Sequence, residues 1–114
     1  MIKMYGLKNC DTCRKAMKWL DGEGIAYEFI DVRKDGITEE DIKGWAASVG
    51  VESLLNRRGT TWRGLSDTDK AKGEGDEATV LMTAHPALIK RPVFVKNTEV
   101  RVGFKDGEQA WLKS

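Results

Sequence analysis

Two thiols, Cys10 and Cys13, stand three positions apart in NCDTCRKAMKWL (residues 9–20), followed at once by Arg14 and Lys15. The spacing admits three chemistries: part of a metal clip, a structural disulfide, or a reactive pair. Structural zinc takes four Cys or His ligands, and His85 is the only other candidate in the chain. No metal site is therefore expected. A reactive pair needs one sulfur held as the thiolate, the form that attacks. Cys10 falls at or just before a helix start, where unpaired backbone N–H groups point outward. The positive end of the helix favours the anion. Arg14, one turn on, adds a cation, and Asp11 opposes it; the N–H donors are expected to outweigh one solvated carboxylate. Helix geometry puts Cα atoms three residues apart at roughly 5 Å, inside the range a disulfide spans. A mixed disulfide on Cys10 could thus be resolved by Cys13. Two inert packing cysteines are the alternative.

The elements that must position this pair are readable from period. IKMYG (2–6) is a short apolar run of strand formers ending in glycine. From Asp11 the period changes: Cys13, Ala16, Met17 and Leu20 form one helical stripe. Cys13 lies on that stripe, so it should be the more buried and less reactive thiol. Gly22 and Gly24 stop the helix, and IAYEFIDV (25–32) reads as a second strand. Strand, helix, strand without a hairpin turn implies parallel pairing through a right-handed crossover.

TEED (38–41) opens a helix with a capping-box pattern, with Ile42, Trp45, Ala46 and Val49 on its apolar face. Gly50 ends it, and VESLLN is a further short helical piece. Residues 56–78 are polar and turn-rich, read as loop with one helical turn near Thr68. EATVLMTA (77–84) reads as a helix halted before Pro86. PVFV (92–95) and EVRVGF (99–104) alternate across an Asn97 turn and predict an antiparallel hairpin. GEQAWL (107–112) is a last short helix. The sum is a single α/β domain over 1–114, with a helical insertion at about residues 36–85 between its βαβ and ββα halves.

The bulk numbers exclude several classes. Nineteen basic against eighteen acidic residues leave a net charge of +1, without the basic excess that generic nucleic-acid binding uses to displace counterions. No apolar run approaches the roughly 18 residues needed to span a bilayer, and MIKMYGLKNC lacks a signal peptide's apolar stretch. A cytoplasmic monomer that contacts neither nucleic acid nor membrane is expected. Thiols are kept reduced there, and two adjacent cysteines then read as redox-active rather than as a staple.

MYGLKNCDTCRKAMKWLDGEGIAYEFIDVRKDGIT resembles the opening of the arsenate reductase-like (ArsC/Spx/YffB) family. The likeness returns at SLLNRRGTTWRGL (53–65), LMTAHPALIKRPVFV (81–95) and VGFKD (102–106), in order and with family spacing. RRGTTWR and HPALIKRP point to the YffB-like branch. The resemblance implies a thioredoxin-like fold with a helical insertion, and Cys10 as nucleophile in the loop Asn9–Cys10–Asp11–Thr12 with Arg14 on the incoming anion. Arsenate reductases proper clamp the oxyanion with three further arginines. Arg91 matches one, Asn56 stands at the second with Arg57 and Arg58 next door, and Phe104 and Lys105 stand at the third. The YffB-like name implies a glutathione-dependent thiol–disulfide reductase. It holds no bound cofactor, uses glutathione as co-substrate, and acts on glutathionylated or disulfide partners with glutaredoxin a further candidate.

Arg57, Arg58, Arg63 and Arg91 could then hold the two carboxylates of glutathione through bidentate bonds; the alternative is a solvated loop whose arginines pair with neighbouring acids. Trp62 is more often a core anchor than a ligand platform, and Thr60 and Thr61 can simply cap a turn. The likeness also implies a cis bond before Pro92, beside the active cysteine, with the Arg91 backbone positioned for an extended thiol substrate. His85, before Pro86 at a helix end, reads as a cap rather than a general base. Two other activities stay open: arsenate reduction in the strict sense, and a Spx-like redox-sensing transcription regulator that binds RNA polymerase α.

Overall fold

The computed structural model describes residues 1–114. In chain order the elements are β1 (Ile2–Gly6), α1 (Asp11–Gly22), β2 (Tyr27–Asp31), α2 (Glu39–Val49), α3 (Val51–Leu54), α4 (Thr60–Arg63), α5 (Asp67–Lys70), α6 (Gly75–Ala84), a 3-10 turn (Pro86–Leu88), β3 (Val93–Lys96), β4 (Glu99–Val102) and α7 (Asp106–Lys113). They divide into two compact units: Met1–Gly36 with Arg91–Ser114, and Ile37–Lys90.

The first unit is built on one four-stranded sheet in the order β2-β1-β3-β4. β1 pairs in parallel with β2, Ile2 opposite Tyr27 and Gly6 opposite Asp31. β3 runs antiparallel to β1 and to β4. This is the mixed-sheet, thioredoxin-like α/β fold. Being central, β1 buries every residue except Lys3, so its sequence is a run rather than an alternation. β3 and β4 are joined by Asn97 and Thr98, and Asn97 takes φ 58°. Asparagine tolerates that left-handed backbone better than most residues.

Helix α1 packs its stripe on this sheet: Cys13, Ala16 and Leu20 are fully buried together with Met4 and Phe94 in one core. Burying a side chain of the Leu, Phe or Met class contributes about 1.5–3 kcal/mol. Gly24 closes the helix at φ 68° while the Ile25 N–H returns to the Leu20 carbonyl at 3.0 Å, a glycine stop of the usual kind. Trp19 meets Phe104 edge-on at 5.4 Å between centroids.

The second unit is helical. Thr38 Oγ1 accepts from the Asp41 N–H at 3.1 Å and Asp41 Oδ2 accepts from the Thr38 N–H at 3.2 Å, the expected capping box. Ile42 and Trp45 of α2 are buried, as are Ala78, Leu81 and Met82 of α6. The returning chain zips onto the end of α3: Leu55 bridges Ile89, and the Lys90 N–H donates to the Leu54 carbonyl at 2.8 Å.

Residues 56–78 differ from the sequence reading. They hold two helical turns, α4 and α5, where one near Thr68 was expected. Four residues between Gly59 and Gly64 are too few to show a period, so α4 leaves no pattern. Ser66 Oγ caps α5 by accepting from the Asp69 N–H at 3.1 Å. Helix α6 begins at Gly75, two residues ahead of the apolar run.

Candidate active site

Cys10 is the N-cap of α1, with extended φ −93° and ψ 124°. Its N–H donates to the Leu7 carbonyl at 3.2 Å, and its own carbonyl accepts from Arg14 N–H at 2.9 Å. The strand hands over to the helix at this residue, which leaves the sulfur half-exposed at the helix start.

Burial pushes the Cys10 thiol up, but the Cys13 N–H, the Cys13 thiol and the Arg91 guanidinium together bring it below its ordinary value. The sulfur closes no tight capping bond; it sits in the field of the Cys13 N–H and lies within hydrogen-bonding reach of the Cys13 side chain and of Arg91. Both sulfurs are free thiols.

Cys13 is fully buried. Burial, followed by the neighbouring Cys10 sulfur, pushes its thiol up to about 11, against the Leu7 N–H and Arg91, which pull it down. The space for its sulfur exists because residue 6 is glycine: a Cβ there would stand 2.5 Å from Cys13 Sγ.

That raised thiol has a consequence for stability. Between about pH 8.5, where an ordinary thiol ionises, and about pH 11, the folded chain keeps a proton that the unfolded chain loses. Stability then falls as pH rises through this window. The difference in unfolding free energy between wild type and Cys13→Ala, measured by urea titration across the window, should shrink steadily; a flat difference would contradict the burial argument.

The cation expected on the thiolate from local spacing was Arg14. It is turned to other work: its Nη2 donates to Asp11 Oδ1 at 3.0 Å and to the Asn9 carbonyl at 3.3 Å. Asp11 is 91 % exposed, and this pair also occupies the acid that was expected to oppose the thiolate. The guanidinium that acts on the Cys10 sulfur is Arg91. The Arg91–Pro92 bond is cis, Pro92 is buried, and its carbonyl accepts from the Gly103 N–H at 2.9 Å. Asn9 and Thr12 are exposed on either side of Cys10.

Arg57 and Arg58 stand on the helical unit. Arg57 is committed there: Nη1 pairs with Glu52 at 2.7 Å, Nη2 donates to the Gly73 carbonyl at 2.5 Å, and the guanidinium lies 5.6 Å from the Trp62 ring centroid. Of the two readings open to the sequence, the pairing with a neighbouring acid is the one seen in this ligand-free chain. Arg58 is exposed, its N–H held by Asn56 Oδ1 at 3.0 Å. Trp62 is the anchor of this cluster and packs so closely on Gly73 that a Cβ there would lie 2.8 Å from the indole. His85 caps α6, its N–H donating to the Leu81 carbonyl at 2.9 Å. No group of three or more His, Cys, Asp or Glu is arranged to hold a metal ion.

One residue of the site had no motif to announce it: Gly6, which makes room for Cys13 Sγ, reads in sequence as a strand end.

The family model described as the ArsC family matches residues 5–111. The chain belongs to the ArsC family. Among solved structures, the protein YFFB is similar with a TM-score of 0.89 and 40% identity, each chain covered in full. An arsenate reductase (ArsC) related protein from Brucella melitensis superimposes with a TM-score of 0.77 at 39% identity, covering 99% of this chain and 95% of that one. The global transcriptional regulator Spx 2 of Bacillus anthracis is 24% identical over 110 residues, 95% of this chain and 83% of the regulator. This ArsC-family chain therefore shares its fold and length with YFFB and with an arsenate reductase (ArsC) related protein, and its sequence, more distantly, with a regulator. No helix is long and apolar enough to cross a membrane.

Proposed function

We propose that the protein is a glutathione-dependent thiol–disulfide reductase working in the cytoplasm through Cys10. The carrying observation is the setting of that sulfur: an N-terminal helix cap whose thiol is lowered by the Cys13 N–H, the Cys13 thiol and Arg91. In the first step the Cys10 thiolate attacks the glutathione sulfur of a mixed disulfide. The S–S bond breaks, a Cys10–glutathione disulfide forms, and the substrate leaves as a thiolate that takes up a proton. A glutathione thiolate then attacks the glutathione sulfur, releasing oxidised glutathione and returning Cys10 as thiolate. Alternatively the Cys13 thiol, once ionised, displaces glutathione and forms a Cys10–Cys13 disulfide, which two further glutathiones reduce. Electrons come from glutathione in either branch. Glutaredoxin could supply them in its place.

The test is turnover of a glutathionylated peptide, with glutathione, glutathione reductase and NADPH as the reporting couple. Wild type should consume NADPH above the uncatalysed rate, Cys10→Ser should not, and Cys13→Ser should accumulate the Cys10–glutathione adduct if Cys13 resolves it. NADPH consumption equal in wild type and Cys10→Ser would reject the reading. Arsenate is the second substrate to add to the same assay, because the Arg91 guanidinium beside Cys10 is a donor an oxyanion needs; arsenate-dependent consumption lost in Arg91→Met would favour that activity.

A further inference from the structure

We infer that Asp11 is a positioning residue for the reactive thiol: it holds the Arg14 guanidinium away from the Cys10 sulfur and so sets how readily that sulfur ionises. Cys10 is the N-cap of α1 and Asp11 its first helical residue. Arg14 stands four positions after Cys10, and its N–H closes the first turn on the Cys10 carbonyl at 2.9 Å. Residues four apart on a helix are neighbours on one face, so a long side chain at 14 can reach the sulfur at 10. In the structure it goes elsewhere. Nη2 donates to Asp11 Oδ1 at 3.0 Å and to the Asn9 carbonyl at 3.3 Å. The cation is thus tied to the residues on either side of Cys10, and the guanidinium that acts on the sulfur is Arg91.

Of the two bonds, the one to Asp11 decides where the guanidinium rests. It is the shorter, and it alone joins two opposite full charges. The Asn9 bond is longer than the usual N–H···O range of about 2.7–3.2 Å. Packing pins neither partner: the Arg14 and Asp11 side chains are 59 % and 91 % exposed. Without the acid, the guanidinium keeps one long bond and has an ionisable sulfur within its reach. It would then join the groups that already face Cys10, which are Cys13 from the same helix and Arg91 from the segment before β3. The helix end favours an anion at the cap in any case, so a second cation there strengthens a field that already exists.

Deleting a carboxylate beside a thiol favours the thiolate by Coulomb's law alone. Asp11→Ala by itself therefore does not separate release of Arg14 from relief of repulsion, but a double-mutant cycle does. Alkylation of Cys10 by iodoacetamide is followed in the full chain, at pH 7 and as a rate–pH profile, in wild type, Asp11→Ala, Arg14→Met and the double variant. Asp11→Ala should react roughly threefold faster than wild type, the size an exposed ion pair supports, with its inflection at lower pH. In the Arg14→Met background the same substitution should give no gain and leave the inflection in place. Asp11→Glu, which still pairs with Arg14 at the same spacing, should keep the wild-type rate. An equal gain in both backgrounds would assign the effect to direct repulsion and overturn the inference. So would a wild-type rate in Asp11→Ala, or a gain in Asp11→Glu. Both side chains lie at the surface, and Asp11→Ala removes only a first-turn acid from α1, so the variants fold. The inference rests on Cys10 being the reactive thiol, but its readouts need no turnover. Failure of the reductase assay leaves the cycle intact, and failure of the cycle leaves Cys10 as the nucleophile.

Discussion

Arg91→Met is expected to cut the alkylation rate of Cys10 at neutral pH by roughly tenfold. Burial raises the Cys10 thiol, and what reverses it is the Cys13 N–H, the Cys13 thiol and Arg91. Arg91 alone supplies both a donor and a full charge. A hydrogen bond to a charged group is worth about 1.5–3 kcal/mol, and 1.4 kcal/mol is a factor of ten. Methionine keeps the length and apolar bulk, so packing beside Pro92 is largely preserved. Arg91→Lys should recover part of the loss, because it restores charge without the planar fork. The rate–pH profile in each variant locates the thiol directly: the inflection should move to higher pH in Arg91→Met. An unmoved inflection would show that the helix end holds the anion unaided, and the reductase reading would then have to dispense with Arg91.

Gly6→Ala carries the largest expected stability loss. The added carbon would stand 2.5 Å from Cys13 Sγ, where neither partner can move freely: Gly6 is a central-strand residue paired with Asp31, and Cys13 is fully buried. Overpacking of this kind costs about 1–3 kcal/mol. The two substitutions should couple. In a Cys13→Ala background the sulfur is gone, and the remaining neighbours, Cys13 Cβ at 3.5 Å and Phe29 Cε1 at 3.6 Å, are at ordinary contact distance. Gly6→Ala should then cost little or nothing, measured as an interaction energy in a double-mutant cycle. Equal penalties in both backgrounds would place the strain elsewhere.

How far the sequence discloses this site depends on the range of each contact. Period located β1, α1, β2, α6 and the β3–β4 hairpin, and the Thr38–Asp41 box located the start of α2, because each is decided within a few residues. At Arg14 the i+4 spacing from Cys10 promises a cation on the sulfur, whereas the guanidinium pairs with Asp11, three residues away on the same helix. Arg91 is 81 positions from Cys10 and reaches it only because β3 pairs with β1; local pattern cannot show that, and it entered through family likeness instead. Arg57 is held by a contact of the same long range. Its partner at Gly73 is 16 residues away, across two helical turns of which only one left a trace.

The two thiols act on each other: Cys13 helps to lower the Cys10 thiol, and Cys10 helps to raise the Cys13 thiol. Burial is the main cause that keeps Cys13 protonated, and the Cys10 side chain, with its charge when it is anionic, adds to it. Once sulfur 10 is tied up in a disulfide it is neutral, and that restraint lifts. Under the proposed reductase reading, capture of a partner removes that restraint, and the buried thiol ionises more readily only after the first sulfur has been spent.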